Sequence, residues 1–135
     1  MHYGKYVFAQ IMESVSPRQF QTCVDAHQGH YRIKNFTCWE QFLAMAFGQL
    51  AYRESLRDIV TCLKAQRYKQ YHLGFRSVVS KSTLADANER RDWRIYRDFA
   101  QVLIQRARKL YVDDPEFTID LDGACYAIDS ASIDL

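Results

Sequence analysis

No apolar run in the 135-residue chain approaches the eighteen or so residues that a membrane helix needs. The opening, MHYGKYVFAQIMES, also lacks the basic-then-apolar layout of a secretory signal. Both absences exclude a membrane reading and set the expectation of a cytoplasmic chain. The four cysteines, Cys23, Cys38, Cys62 and Cys125, include no Cys-x-x-Cys pair, so reduced and mostly buried thiols are expected rather than a disulfide framework. Nucleophile motifs, Gly-rich phosphate loops and HExxH stretches are missing, as are internal repeats and low-complexity tracts. Proline occurs twice, at Pro17 and Pro115, each time where the pattern changes.

Positive charge is absent from residues 112–135, which hold seven Asp/Glu and no Lys/Arg. Residues 53–111 hold fourteen Lys/Arg against six Asp/Glu, so a net charge of +2 hides a basic middle and an acidic end. Such a segregation is read either as solvated helix faces or as an anionic polymer bound by one part and a cation by the other.

What is present is mostly helical patterning. A short helix is expected within 4–14, with Tyr6, Val7, Ile11 and Met12 on its apolar face. Ser16-Pro17 should open a second helix running to about His27, with Phe20, Cys23 and Val24 inward and Gly29 ending it. Thr37 and Glu40 form a capping box before Trp39, Phe42, Leu43, Ala46, Phe47 and Leu50, which predicts a central helix. Ser55 and Asp58 cap the next, with Leu56, Ile59, Val60 and Leu63 inward. A long link follows, then a short helix capped by Ser80 or Ser82, an order like that of a helix-turn-helix. The longest helix is expected over Asp92 to Tyr111, with Tyr96, Phe99, Ala100, Leu103, Ala107 and Leu110 as its stripe.

Beyond Asp113-Asp114-Pro115 the period becomes 2, and FTIDL and ACYAID flank Asp122-Gly123, a strong hairpin-turn signal. The expected organisation is therefore mainly α: a helical domain over 1–112, then a β-hairpin over 113–135.

Three constellations bear on chemistry. Cys23, His27, His30 and Cys38 are of zinc-ligating types, but C-x3-H-x2-H-x7-C is not a standard zinc spacing, which favours helix-end histidines and buried thiols. The basic middle offers Lys69, Arg76, Lys81, Arg90, Arg91, Arg94 and Arg97 to neutralise phosphates, with Ser82, Thr83 and Asn88 near base edges. Asp129, ending an apolar strand before Ser130 and Ser132, reads either as a surface or turn-capping aspartate or as a ligand for a hard cation.

Several stretches, in this order, carry a resemblance: GKYVFAQ from Gly4, FTCWEQFLAMAFGQL from Phe36, SLRDIV from Ser55, YHLGF from Tyr71, STLADANERRD from Ser82 and YAIDSASIDL from Tyr126. The chain resembles the N-terminal portion of bacterial insertion-sequence transposases of the DDE class, in which a helical domain of unassigned function precedes an RNase H-like catalytic core. The resemblance implies that the hairpin opens a truncated RNase H-like α/β domain. It implies that Asp129 is the first of three acidic, catalytic metal ligands, that the parent enzyme uses Mg2+ (or Mn2+), and that the helical domain helps bind double-stranded DNA at transposon ends. Ser130-Ala131-Ser132 departs from the usual Ser-Thr-Thr, and the second aspartate and the glutamate are absent from the sequence. Because a two-metal site needs several carboxylates, this polypeptide is expected to be inactive and to hold no metal itself. Its unpaired hairpin edge is a further expected site of self-association. The rival expectation is a non-enzymatic helical module that packs on a partner chain or on the missing domain.

Overall fold

Four hydroxyls set where the helices begin. In the computed structural model, which describes residues 6–112, Ser16, Thr37, Ser55 and Ser80 each accept from the backbone N–H three residues on, at 3.4, 3.1, 3.2 and 3.1 Å. Each bond satisfies a donor that a helix N-terminus leaves unpaired. The chain runs through α1 (Val7–Glu13), α2 (Pro17–Ala26), α3 (Cys38–Leu50), α4 (Leu56–Ala65), α5 (Lys81–Arg90) and α6 (Arg94–Tyr111). Two 3-10 turns, Arg67–Lys69 and Tyr71–Leu73, lie in the link between α4 and α5.

α3 is the axis of the packing: α2, α4 and α5 lean on it, α4 pairs with α5, and α6 lies along α2. The core has two halves. One is mainly aliphatic and gathers Leu43 and Phe47 of α3, Ile59 and Leu63 of α4, and Leu84 and Ala87 of α5. Gly48 permits the α3–α4 approach, since a Cβ there would meet Ile59 Cδ1 at 2.5 Å. The other half is aromatic. Phe20 of α2 sits 5.0 Å from the Phe99 ring and 5.4 Å from Trp39 and Phe42, the first two contacts edge-on. Met12 and Trp39 pack against both halves.

The inward residues expected of α2 and α4 are the observed ones, with Leu56 half-buried. Two faces differ. α1 turns Phe8 and Met12 to the core and leaves Val7 72% exposed. α6 buries Ile95 and Phe99 and packs Tyr96, Val102 and Leu103 on the aromatic half, while Ala100, Ala107 and Leu110 of the predicted stripe are exposed.

The α/β class is corrected. Every element among the described residues is helical and no strand occurs there. The residues with 3.6 periodicity all became helices, whereas the period-2 pattern lies wholly within 113–135. The hairpin and the RNase H-like portion it was to open, including Asp129, fall outside the described residues and have no structural support.

Candidate nucleic-acid interface

α5 owes its position to Leu84 and Ala87, which sink into the aliphatic half and turn the rest of the helix outward. Lys81, Ser82 and Thr83 occupy its exposed first turn. There the Ser80 hydroxyl lies 3.1 Å from Ser82 Oγ and 2.8 Å from Thr83 Oγ1, so three hydroxyls cluster at the positive end of the helix. Arg90 stands exposed at the other end, and Arg76 is exposed on the link. Arg76, Lys81 and Arg90 have no ion pair among the described residues. Asp86 and Glu89 share the outer side of α5, so its surface is not uniformly basic.

The remaining cations predicted from the sequence have internal partners. Arg91 turns inward: its guanidinium donates to the carbonyl of Thr37 at 2.8 Å, to Gln41 Oε1 at 2.9 Å and to the carbonyl of Phe36, and lies 5.2 Å over the Phe36 ring. Asn88 accepts from buried Gln41 at 2.6 Å, and Gln41 accepts from the Tyr96 hydroxyl at 2.5 Å. Burial pushes the Tyr96 hydroxyl well above its ordinary pKa, so it stays a donor. Arg94 grips Asp92, with distances of 2.6–3.0 Å, and this holds the carboxyl down to about 2. Arg97 pairs with Asp98 at 2.7 Å and covers Trp93 at 5.1 Å. Asp98 also faces His27 Nε2 at 2.7 Å, the largest cause of its lowered pKa. Lys69 rests 4.5 Å over Tyr6.

Glu40 does more than cap. One carboxylate oxygen closes the capping box on Thr37, and the other accepts from the Arg76 N–H at 2.9 Å, which ties the link to α3. The link spans 66–80, much longer than the short turn of a standard helix-turn-helix. It also displays residues that the sequence reading did not single out: Arg67, Tyr68 and Tyr71, with the tyrosines 96% and 83% exposed. The alternation of cation and ring in RYKQYH was the available signal.

Of the four residues of zinc-ligating type, Cys23 and Cys38 are the buried thiols that the spacing favoured, and burial pushes them up; Cys38 donates to the Gly29 carbonyl at 3.3 Å. Among the described residues no three His, Cys, Asp or Glu are grouped so as to hold a metal ion. Nor is any helix there long and apolar enough to cross a membrane.

No curated protein and no solved structure matches the chain. Residues 3–76 match the family described as Domain of unknown function (DUF4372), a domain found in transposase-like proteins. Since that match covers more than half of the sequence, the chain belongs to the DUF4372 family.

Proposed function

We propose that the helical region binds duplex DNA at the ends of a mobile element, as the end-recognising part of a DDE transposase working in the cytoplasm. The observation that carries this reading is the contrast in pairing: Arg91, Arg94 and Arg97 are held by partners, whereas Arg76, Lys81 and Arg90 are exposed without an ion pair. Unpaired surface cations are what phosphate neutralisation uses, and the hydroxyls at the α5 N-terminus suit phosphate or base-edge contacts. Membership of a family found in transposase-like proteins supports the same reading. The parent reaction, metal-dependent strand cleavage and transfer with Mg2+ or Mn2+, belongs to this proposal, and Asp129 is its one named ligand.

The test is the salt dependence of binding to a fluorescent duplex, followed by anisotropy. Each phosphate contact removed should lower the slope of log affinity against log salt by about 1, so Arg76, Lys81 and Arg90 replaced together by alanine should flatten it by about three. A wild-type slope near zero sinks the reading. The second reading, a helical module packing on a partner chain, is favoured by the exposed apolar end of α6, where Leu110 and Val112 are 73% and 79% exposed. It predicts self-association and salt-insensitive, weak DNA binding.

A further inference from the structure

From Ile59 to Ala85 the sequence contains five Lys/Arg, namely Lys64, Arg67, Lys69, Arg76 and Lys81, and no Asp or Glu. That stretch runs from α4 through the link into α5, and in its middle stand the two most outward rings of this region, Tyr68 and Tyr71. Neither ring gains burial from folding, yet the backbone beneath them is fixed. Gln70, between them, is buried; its amide donates to the Leu63 carbonyl at 2.7 Å, and its own carbonyl accepts from Leu73 and Phe75, each at 3.0 Å. Leu73 anchors the second turn in the aliphatic half. Gly74, at φ 92°, ends it in the left-handed region, where a Cβ would also meet Leu43 Cδ1 at 2.9 Å.

The spacing of the rings is informative. Gln70 has helical dihedrals, φ −57° and ψ −38°, so the two 3-10 turns follow one another with little interruption. In a 3-10 helix residues three apart eclipse, which puts Tyr68 and Tyr71 on one side, about 6 Å apart along the axis at roughly 2 Å per residue. Duplex bases are about 3.4 Å apart along each strand and already stacked, so they offer no faces to such rings. Unpaired bases do, and an aromatic platform on a stretch of chain that carries cations and no carboxylate is the chemistry that takes a single strand, with Glu13 of α1 the acidic group that lines the cavity beside Tyr68 and Lys69.

We propose that the Arg67–Leu73 link is a stacking platform for unpaired bases, in which Tyr68 and Tyr71 each take a base and Arg67 and Lys64 neutralise the adjoining phosphates. This rests on the reading of the chain as a DNA-binding protein and names its substrate more closely: duplex DNA that continues into a single-stranded tail.

The experiment compares, by anisotropy with the full chain, a blunt fluorescent duplex and the same duplex bearing an oligothymidine tail. The tail should raise wild-type affinity roughly tenfold or more. Replacing Tyr68 and Tyr71 together by alanine should abolish that gain while leaving blunt-duplex affinity and the circular dichroism spectrum unchanged; Tyr68→Phe with Tyr71→Phe should keep it, because stacking needs the ring and not the hydroxyl. If blunt duplex binds and the tail adds nothing, the platform is overturned and the duplex reading stands. Binding of neither probe removes both. Equal loss on both probes in the alanine variant makes the tyrosines part of a duplex surface and overturns the inference. A concentration-dependent dimer that the alanine variant abolishes in sedimentation would do the same, by assigning the rings to a protein interface.

Discussion

The aromatic half, built on α2, α3 and α6, and the aliphatic half, built on α3, α4 and α5, differ in how many of their arginines and lysines the fold has partnered. In the first, four cations complete the structure: Arg91 closes over the start of α3, Arg94 and Arg97 hold Asp92 and Asp98, and Arg106 donates to the Ser14 carbonyl at 2.5 Å, while Arg18, Arg108 and Lys109 stay exposed. In the second, Lys64, Arg67, Arg76 and Lys81 are exposed and no carboxylate occurs over 59–85. The total of fourteen basic residues in the middle of the chain therefore does not identify a binding surface. Which of them the fold has already partnered does, because a guanidinium committed to carbonyls or to a carboxylate has fewer donors left for a phosphate.

The largest effect that separates the halves from a pair of independent units is core truncation. Phe20→Ala removes a ring, 1% exposed, from contact with four other rings and should cost about 3–5 kcal/mol; Leu84→Ala, fully buried in the other half, should cost about 2–5 kcal/mol. Since Met12 and Trp39 touch both halves, each variant should shift a single urea transition followed by tryptophan fluorescence and by circular dichroism. Two separated transitions would show the halves to be independent, contrary to the shared packing.

The next effect tests the contrast in charge use. Arg91→Ala takes the guanidinium donors from the Phe36 and Thr37 carbonyls and from Gln41 Oε1, of which Thr37 keeps the Gln41 N–H and Gln41 keeps the Tyr96 hydroxyl, and should cost about 1–3 kcal/mol. Arg91→Lys should recover little, since one ammonium cannot reproduce a planar fork across three acceptors. Lys81→Ala and Arg90→Ala, on the exposed face of α5, should stay within about 0.5 kcal/mol of wild type in the same urea titration. Equal costs for all three would erase the distinction between structural and presenting cations.

How far this was legible in the sequence follows from what each feature depends on. Caps depend on neighbours three residues away: Ser16, Thr37 and Ser55 read correctly, and Ser80 is the one of the two candidates, Ser80 and Ser82, that caps α5. The inward faces of α2 and α4 follow from periodicity, because each is amphipathic with one apolar stripe. The face of α6 followed in part: Tyr96, Phe99 and Leu103 of the predicted stripe pack on the aromatic half, whereas Ile95 and Val102 join them unforeseen and Ala100, Ala107 and Leu110 stay exposed. Arg91 was equally opaque, since nothing between residues 80 and 100 shows that its partners lie at Phe36, Thr37 and Gln41. Tyr68 and Tyr71 look like core residues by type; the cations interleaved with them in RYKQYH hint at a surface, and the burial of Gln70 and Leu73 shows that the rings face outward.

A smaller effect concerns the cap of α5. Ser80→Ala removes the acceptor for the Thr83 N–H and should cost about 1 kcal/mol, whereas Ser80→Asp keeps an acceptor and should cost less. The readout that bears on the comparison is duplex affinity: without Ser80, the Ser82 and Thr83 hydroxyls lose their shared partner, so affinity should fall while the salt slope stays constant. A changed slope would mean that the cap variant had moved Lys81, and that the hydroxyls and the cation are not separable.

The smallest effect is electrostatic and belongs to the aromatic half. Asp92 is held down to about 2, chiefly by its bond from Arg94, and Asp98 is lowered, chiefly by His27 and then by Arg97. A carboxyl with a folded pKa below its unfolded value, about 3.9, stabilises the protein above that unfolded value and loses this contribution as pH falls through the folded one. The urea midpoint should therefore decline between about pH 4 and pH 2. The decline should be modest and weaker in high salt, because Asp92 and Asp98 are 25% and 35% exposed and screened by solvent. Asp92→Asn combined with Asp98→Asn should flatten this acid limb, whereas Lys81→Ala should leave it as in wild type. An unchanged limb in the double variant would mean that the acid sensitivity arises outside these pairs, and that Arg94 and Arg97 are less committed to the fold than their geometry implies.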